Sequence, residues 1–273
     1  MWSVKDVYYI SGSTGILAAN YGQALISQFP EIAFNEKTFP FISSVEQAKE
    51  TMNKIMEYAG ARRPLVFTSL VDPKIRDVFD SVEVEFIDIF EHRLTYMENI
   101  LECKALRIAG SSRQTDTVLL GERVEAIHYC LEHDDGLKTN QYNKADAIIL
   151  GVSRAGKTPV SVYLATQRGF KVANFPLTTE YLEKYRLPGH LLTSQVKMIG
   201  LTTTPQFLSN IREKRYPNSK YSSMATCREE IKQAEQIYQH YKIPSILSTG
   251  QSIEEVATQI VQELNLSLKK RFL

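Results

Sequence analysis

The sequence predicts an α/β protein: an N-terminal α/β lobe on a mostly parallel sheet, then a C-terminal α/β domain of the P-loop type. Three observations predict it. Short apolar runs alternate with helix-length amphipathic segments over residues 7–101, the rhythm of a parallel sheet covered by helices on both faces. Residues 151–158 read Gly-Val-Ser-Arg-Ala-Gly-Lys-Thr, a complete G-x-x-x-x-G-K-[ST] pattern. An apolar run at 145–150 precedes it and helical sequence at 158–166 follows it, the strand–loop–helix order that such a loop needs.

In chain order, the first strand covers 7–10. The loop Ser11-Gly12-Ser13-Thr14-Gly15 leads from it into a helix ending near residue 29. A second strand is expected at 37–42. Ser43 or Ser44 then caps a helix to about residue 58, with Glu46 and Gln47 near its first turn. Residues 64–70 suit a buried strand, Asp72-Pro73 opens another helix, 82–89 suits a fourth strand and 91–101 a helix. Residues 103–120 differ. The run Gly110-Ser111-Ser112-Arg113-Gln114-Thr115 is small, polar and aperiodic, and reads as the connection between two lobes. The expected division is 1–105, a regulatory or partner-binding lobe, and 106–273, the P-loop domain.

A helix at 120–132 ends at His133-Asp134-Asp135-Gly136, where Gly136 suits a helix C-terminus. Beyond the glycine-rich loop come a strand at 171–175, a short helix at 178–185 and a strand at 196–201. Thr204-Pro205 starts a helix to about 216, and a long polar helix spans 222–241. A last strand at 244–247 precedes a final helix through about 266, with Ser252 and Glu255 at capping-box spacing. No internal repeat or low-complexity segment is visible.

Composition narrows the function classes. Of 273 residues 43% are hydrophobic and 23% charged, a globular make-up with ample core. A formal net charge of +1 gives no long-range field for nucleic acid or an anionic membrane surface. No apolar run approaches the ~20 residues that span a bilayer, and residues 1–6 lack the basic and apolar regions of a signal peptide. Cys103, Cys130 and Cys227 show no C-x-x-C spacing, which argues for a reducing compartment, against a zinc site, and for three small core residues. A cytoplasmic location is expected.

The chemistry concentrates at 151–158. Backbone N–H groups of Gly151, Val152, Ser153, Arg154, Ala155 and Gly156 are suited to wrap phosphates, Lys157 to reach the terminal ones, and the Thr158 hydroxyl to hold Mg²⁺. Arg154 is either a phosphate contact or a solvated loop charge. The strand and turn over 196–204 carry no carboxylate, so the acidic candidates for metal or base are Asp134, Asp135 and Asp146. An Asp-Asp-Gly run is also an ordinary polar turn. Arg212, Lys214 and Arg215 near a helix end suit either a phosphate lid or a basic terminus complementing the helix dipole. His92, His128, His133, His190 and His240 have no metal-ligand spacing. The loop at 11–15 reads as a second anion site or as a plain strand–helix turn.

Several of these runs together resemble the bacterial phosphoenolpyruvate synthase regulatory proteins, within a wider family that includes the pyruvate, phosphate dikinase regulators. The runs are His133-Asp134-Asp135-Gly136, residues 151–159, Tyr163-Leu164-Ala165, residues 172–176, Gly200-Leu201-Thr202, residues 211–215 and 221–257. The Gly-Lys-Thr ending is more similar to the synthase regulators. The resemblance implies a P-loop kinase-like domain with two opposed activities. One is ADP-dependent phosphorylation of a threonine near the catalytic histidine of the synthase, which inactivates it. The other is removal of that group by inorganic phosphate, forming pyrophosphate. It implies Gly151, Arg154, Gly156, Lys157 and Thr158 as phosphate ligands, with Lys157, Asp134 and Asp135 as the catalytic candidates. Mg²⁺ is the expected metal and the synthase the expected partner; a homodimer is left open.

The first lobe departs from that pattern. A loop resembling Ser-Asp-Ser-Thr-Gly-Ile-Thr-Ala-Glu is usual there, and this chain has Gly12 and Ala19 in place of the two acids. A usual His-rich turn is also absent around 110–113. The departures leave open whether both reactions survive. Two other readings stay beside the first: a small-molecule P-loop kinase, and a non-catalytic nucleotide-sensing interaction protein.

Overall fold

Two four-stranded parallel sheets organise the chain. The computed structural model describes residues 4–60, 62–111 and 117–267. It divides into two compact units, 1–114 and 115–273. Composition puts that division at 105–106, but residues 105–111 pack on the first unit: a Cβ on Gly12 would stand 3.1 Å from the Ala109 Cβ. Of the expected connection, Ser112, Arg113, Gln114 and Thr115 lie outside the described residues.

The first unit runs β1 (Val4–Ile10), α1 (Ile16–Ile26), β2 (Ala33–Phe39), α2 (Val45–Ala59), β3 (Leu65–Thr68), α3 (Pro73–Arg76), β4 (Glu85–Asp88) and α4 (Glu91–Leu101). Its sheet order is β2-β1-β3-β4. Central β1 is buried on both faces, Tyr8 and Ile10 packing into one cluster and Val7 and Tyr9 into another, which is why it reads as a continuous apolar run. Ser44 caps α2, accepting from Gln47 N–H, while the Gln47 side chain accepts from Ser43 N–H at 2.9 Å.

Three strands differ from expectation by three residues or more at one end, and β1 begins at Val4 rather than at residue 7. β2 lies at 33–39 rather than 37–42. It is a polar edge strand that pairs with β1 through Phe39, and Pro40, lacking an N–H, follows where the ladder stops. Ile42, which marked the expected strand, is buried beyond it in the core. β4 spans 85–88 rather than 82–89. Val82 is 87% exposed, and the chain turns at 81–84 through the Val84 N–H to Ser81 carbonyl bond.

The second unit runs α5 (Thr117–Glu132), β5 (Ala147–Gly151), α6 (Lys157–Arg168), β6 (Val172–Pro176), α7 (Thr179–Lys184), α8 (Gly189–Leu192), β7 (Lys197–Thr202), α9 (Pro205–Glu213), α10 (Met224–His240), β8 (Ser245–Leu247) and α11 (Ile253–Glu263). The sheet order is β6-β5-β7-β8. Ile148, Ile149 and Leu150 of β5 are fully buried in its core. The capping box of α11 forms as spaced, Ser252 N–H donating to Glu255 Oε2 at 2.7 Å and Glu255 N–H to Ser252 Oγ at 3.2 Å.

Both sheets place their strands second-first-third-fourth, and in both the first strand leads through a short loop into the next helix. The sequence shows no repeat, yet the topology occurs twice. Among the cysteines, Cys130 and Cys227 are buried as expected, whereas Cys103 is exposed at the end of α4. Among the described residues, no helix is long and apolar enough to cross a membrane.

Candidate active site

The loop between β5 and α6 sits at the carboxyl end of a central parallel strand, the edge where α/β sheets bind ligands. Gly156 makes the turn into α6 with φ 98°, and Arg154 is also left-handed at φ 73°. The first is easy for glycine and costly for other residues. The first N–H groups of α6 are consequently presented to whatever fills the loop.

Lys157 opens α6 and is only 6% exposed, its Nζ donating to the Val152 carbonyl at 3.1 Å. Burial pushes its ammonium down to about 8, against the opposing pull of Asp135 and, less, Asp134. Among the described residues this buried cation, turned back onto its own loop, forms no ion pair. Thr158 follows, its hydroxyl donating to the two carboxylate oxygens of Asp134 at 3.0 and 3.1 Å.

The turn after α5 supplies the carboxylates. Asp135 and Gly136 are left-handed at φ 51° and 81°. Gly136 N–H donates to the Asn174 carbonyl at 2.9 Å, and Asn174 N–H to the His133 carbonyl at 3.0 Å, so β6 fixes the turn. Asn174, fully buried, donates through Nδ2 to Asp134 Oδ1 at 2.6 Å and to Ser161 Oγ at 2.9 Å. The His133 ring stacks on Tyr129 and donates from Nδ1 to the Tyr129 carbonyl at 2.7 Å. Asp134 is thus locked, whereas Asp135 is exposed and its carboxylate takes no hydrogen bond or ion pair among the described residues. Asp146 is spent elsewhere, accepting from Lys171 N–H at 2.7 Å.

One cavity of about 880 Å³ joins these groups. Asp134, Asp135, Arg154, Lys157, Thr158 and Arg215 all line it. The structure separates the three basic residues at and beyond the end of α9. Arg215 reaches the cavity and is exposed. Arg212 is fully buried, so it is neither a solvated helix end nor a mobile lid. It donates to Glu230 at 2.6 Å, to the Ser153 carbonyl at 3.0 Å and to the Tyr221 carbonyl at 3.1 Å. It braces the loop from below. Ser248 Oγ adds a bond to the Ala155 carbonyl at 3.1 Å. Asn174, Ser161, Tyr221 and Glu230 were not singled out from sequence for a role in the site. The one available signal was Asn174, a polar residue inside the buried strand Val172–Pro176.

Chemically, the arrangement offers fixed positive charge, helix N–H donors and a free carboxylate around one concavity, which suits a protein that handles phosphoryl groups. The chain belongs to the kinase/pyrophosphorylase family, whose model matches residues 7–261. It is 42% identical over 265 residues, 97% of each chain, to a protein of Desulfotalea psychrophila provisionally named phosphoenolpyruvate synthase regulatory protein. Relatives with the same provisional name occur in Laribacter hongkongensis, 40% identical over 96% of this chain and 97% of that one, and in Legionella pneumophila, 41% identical over 97% and 99%. Family membership makes this a phosphotransferase that uses nucleotide and phosphate.

Proposed function

We propose that this protein regulates phosphoenolpyruvate synthase by two opposed transfers at one site: as a protein-threonine kinase using ADP, and as a phosphorylase using inorganic phosphate. In the first, a threonine oxygen of the synthase bonds to the β-phosphorus of ADP. The bond from that phosphorus to the bridging oxygen breaks, AMP leaves with its electron pair, and the hydroxyl proton passes to a carboxylate. In the second, an oxygen of inorganic phosphate bonds to the phosphorus of the threonine phosphate, and the bond from that phosphorus to the threonine oxygen breaks. Pyrophosphate forms and the threonine oxygen takes up a proton. Both directions put two phosphoryl groups side by side, which suits a single loop.

The observation that carries this reading is the buried, unmatched Lys157 beside two carboxylates in different states of engagement. Lys157 and the α6 N–H groups neutralise charge developing on the transferred group. Asp135, unengaged and lining the cavity, accepts and returns the proton. Thr158 and Asp134, adjacent oxygen donors, are the protein groups that would hold Mg²⁺, a hard cation that shares phosphate charge when bound. Incubation with purified phosphoenolpyruvate synthase, pyruvate and β-labelled ADP tests the proposal. Labelled phosphothreonine on the synthase is the expected result. Label confined to a small molecule would replace it with a metabolite kinase, and binding without turnover with a sensor.

A further inference from the structure

The cavity holds more than a diphosphate requires, and its remaining lining includes two aromatic rings. Tyr216 and Tyr221 line it together with Ile211. Tyr221 is held at its hydroxyl and at its ring: the hydroxyl donates to Ser153 Oγ at 2.8 Å, and the Arg212 guanidinium lies 4.1 Å from its ring centroid. Tyr216 stands edge-on to it, centroids 5.9 Å apart at 83°, and is 52% exposed. The turn carrying Tyr216 is stitched by bonds from Asn218 N–H to Glu213 at 2.7 Å and from Ser219 Oγ to the Tyr216 carbonyl at 2.8 Å. The ring is therefore presented on a built platform rather than a loose chain.

The two kinds of lining attach to different ends of the glycine-rich loop. Tyr221 and Arg212 hold Ser153, at its start. Asp134 holds Thr158, at its end. We infer that Tyr216 is the stacking surface for the nucleoside end of the donor, with the base at the Ser153 side and the transferred phosphoryl group at the Lys157–Thr158 side. This rests on the nucleoside diphosphate reading above. A diphosphate seated in the loop carries its nucleoside covalently within the same cavity; the Arg215 guanidinium lies 5.7 Å from the centroid of the half-exposed Tyr216 ring, and a planar base of any identity would stack on that ring beside it or in its place. The acceptor protein approaches from the carboxylate side, where Asp135 stands unengaged.

Calorimetric titration of wild type, Tyr216→Ala, Tyr216→Phe and Lys157→Ala with ADP and, separately, with inorganic pyrophosphate tests the assignment. Wild type is expected to bind ADP more tightly than pyrophosphate. Tyr216→Ala should weaken ADP roughly 10-fold, the scale of one base stacking contact, and leave pyrophosphate within about two-fold, because a stacking ring touches no phosphate. Tyr216→Phe should retain ADP affinity. Lys157→Ala should weaken both ligands. Equal wild-type affinity for ADP and pyrophosphate, or a Tyr216→Ala that weakens both alike, overturns the stacking role and leaves the loop reading standing. So does a Tyr216→Ala that keeps ADP affinity and loses only turnover on the protein acceptor, which would give the wall to that acceptor. A wild type that binds neither ligand overturns the underlying reading as well.

Discussion

Each unit runs its first strand into a helix through a left-handed glycine, Gly15 at φ 81° before α1 and Gly156 at φ 98° before α6. The residues that follow them diverge. After Gly156 stand Lys157, buried and cationic, and Thr158, bonded to a carboxylate. After Gly15 stand Ile16 and Leu17, 52% and 47% exposed. In the loop before Gly15 the Ser11 hydroxyl oxygen accepts twice, from Ser69 Oγ at 3.0 Å and from Ser13 N–H at 3.1 Å. Two turns of like topology thus differ in charge, and the difference teaches that the backbone cradle and the electrostatics that give it chemistry are separable. The cradle comes with the fold; the lysine, the hydroxyl and the neighbouring carboxylates must be added.

The strongest way to break that comparison is to remove the charge alone. Lys157→Met should lower turnover in both directions by ~10³-fold or more, since a lost charge-assisted contact costs about 1.5–3 kcal/mol in binding and more in the transition state. The same variant should melt at a higher temperature than wild type at pH 7. Burial holds the Lys157 pKa at about 8 instead of 10.5, so the charged form is disfavoured in the folded state. Near-normal turnover, or a lower melting temperature, would show that Lys157 is not the strained cation described here.

Next in size is the division of labour between the carboxylates. Asp135→Asn should lower kcat by ~10²-fold while ADP affinity stays within a few-fold, because a base acts chiefly in the transition state. Asp134→Asn should impair binding and rate together, since Asp134 orders Thr158. Identical kinetic signatures for the two would erase the distinction.

A pH series sharpens the picture further. As pH rises through about 8, free Lys157 loses its charge, and ADP affinity should fall by up to tenfold per unit above that point. Lys157→Arg, charged throughout this range, should lack the decline. Stability runs the opposite way: between about 8 and 10.5 the unfolded chain holds the extra proton, so wild-type stability should rise with pH there. A flat ADP profile in wild type would contradict the buried charge.

The smallest effect is expected in the first unit. A Cβ on Gly12 would meet the Ala109 Cβ at 3.1 Å and the Ile42 carbonyl oxygen at 3.3 Å. Gly12→Asp should therefore destabilise by about 1–3 kcal/mol through overpacking, with a carboxylate beside a carbonyl oxygen. It should raise neither of the two transfer reactions. A stable Gly12→Asp variant with raised activity would mean that this turn takes part in the reaction after all.

The glycine-rich loop, its strand and its helix were legible because glycine, lysine and threonine sit at fixed offsets beside a buried apolar run. The caps of α2 and α11 were legible for the same reason, being local in sequence. What stayed hidden is non-local. Arg212 reads as one of three basic residues near a helix end, and only the fold reveals that Glu230, Ser153 and Tyr221 surround it. Asp134 reads as half of a polar turn until Asn174, forty residues on, fixes it. β2 was displaced because its partner β1, not its own hydrophobicity, decides where it pairs. The common topology of the two units was hidden because strand order leaves no trace in the sequence.

The braces on the glycine-rich loop also bear on the order in which the protein is made. All eight residues of the motif are in place by Thr158, but Arg212 and Ser248, which hold the Ser153 and Ala155 carbonyls, lie 59 and 93 positions from their partners. A growing chain carries the motif long before it carries the scaffold that sets the motif's shape. The shape of the loop is therefore completed only once nearly the whole second unit has been synthesised and folded, and a chain halted at the end of β7 would display the signature without either brace.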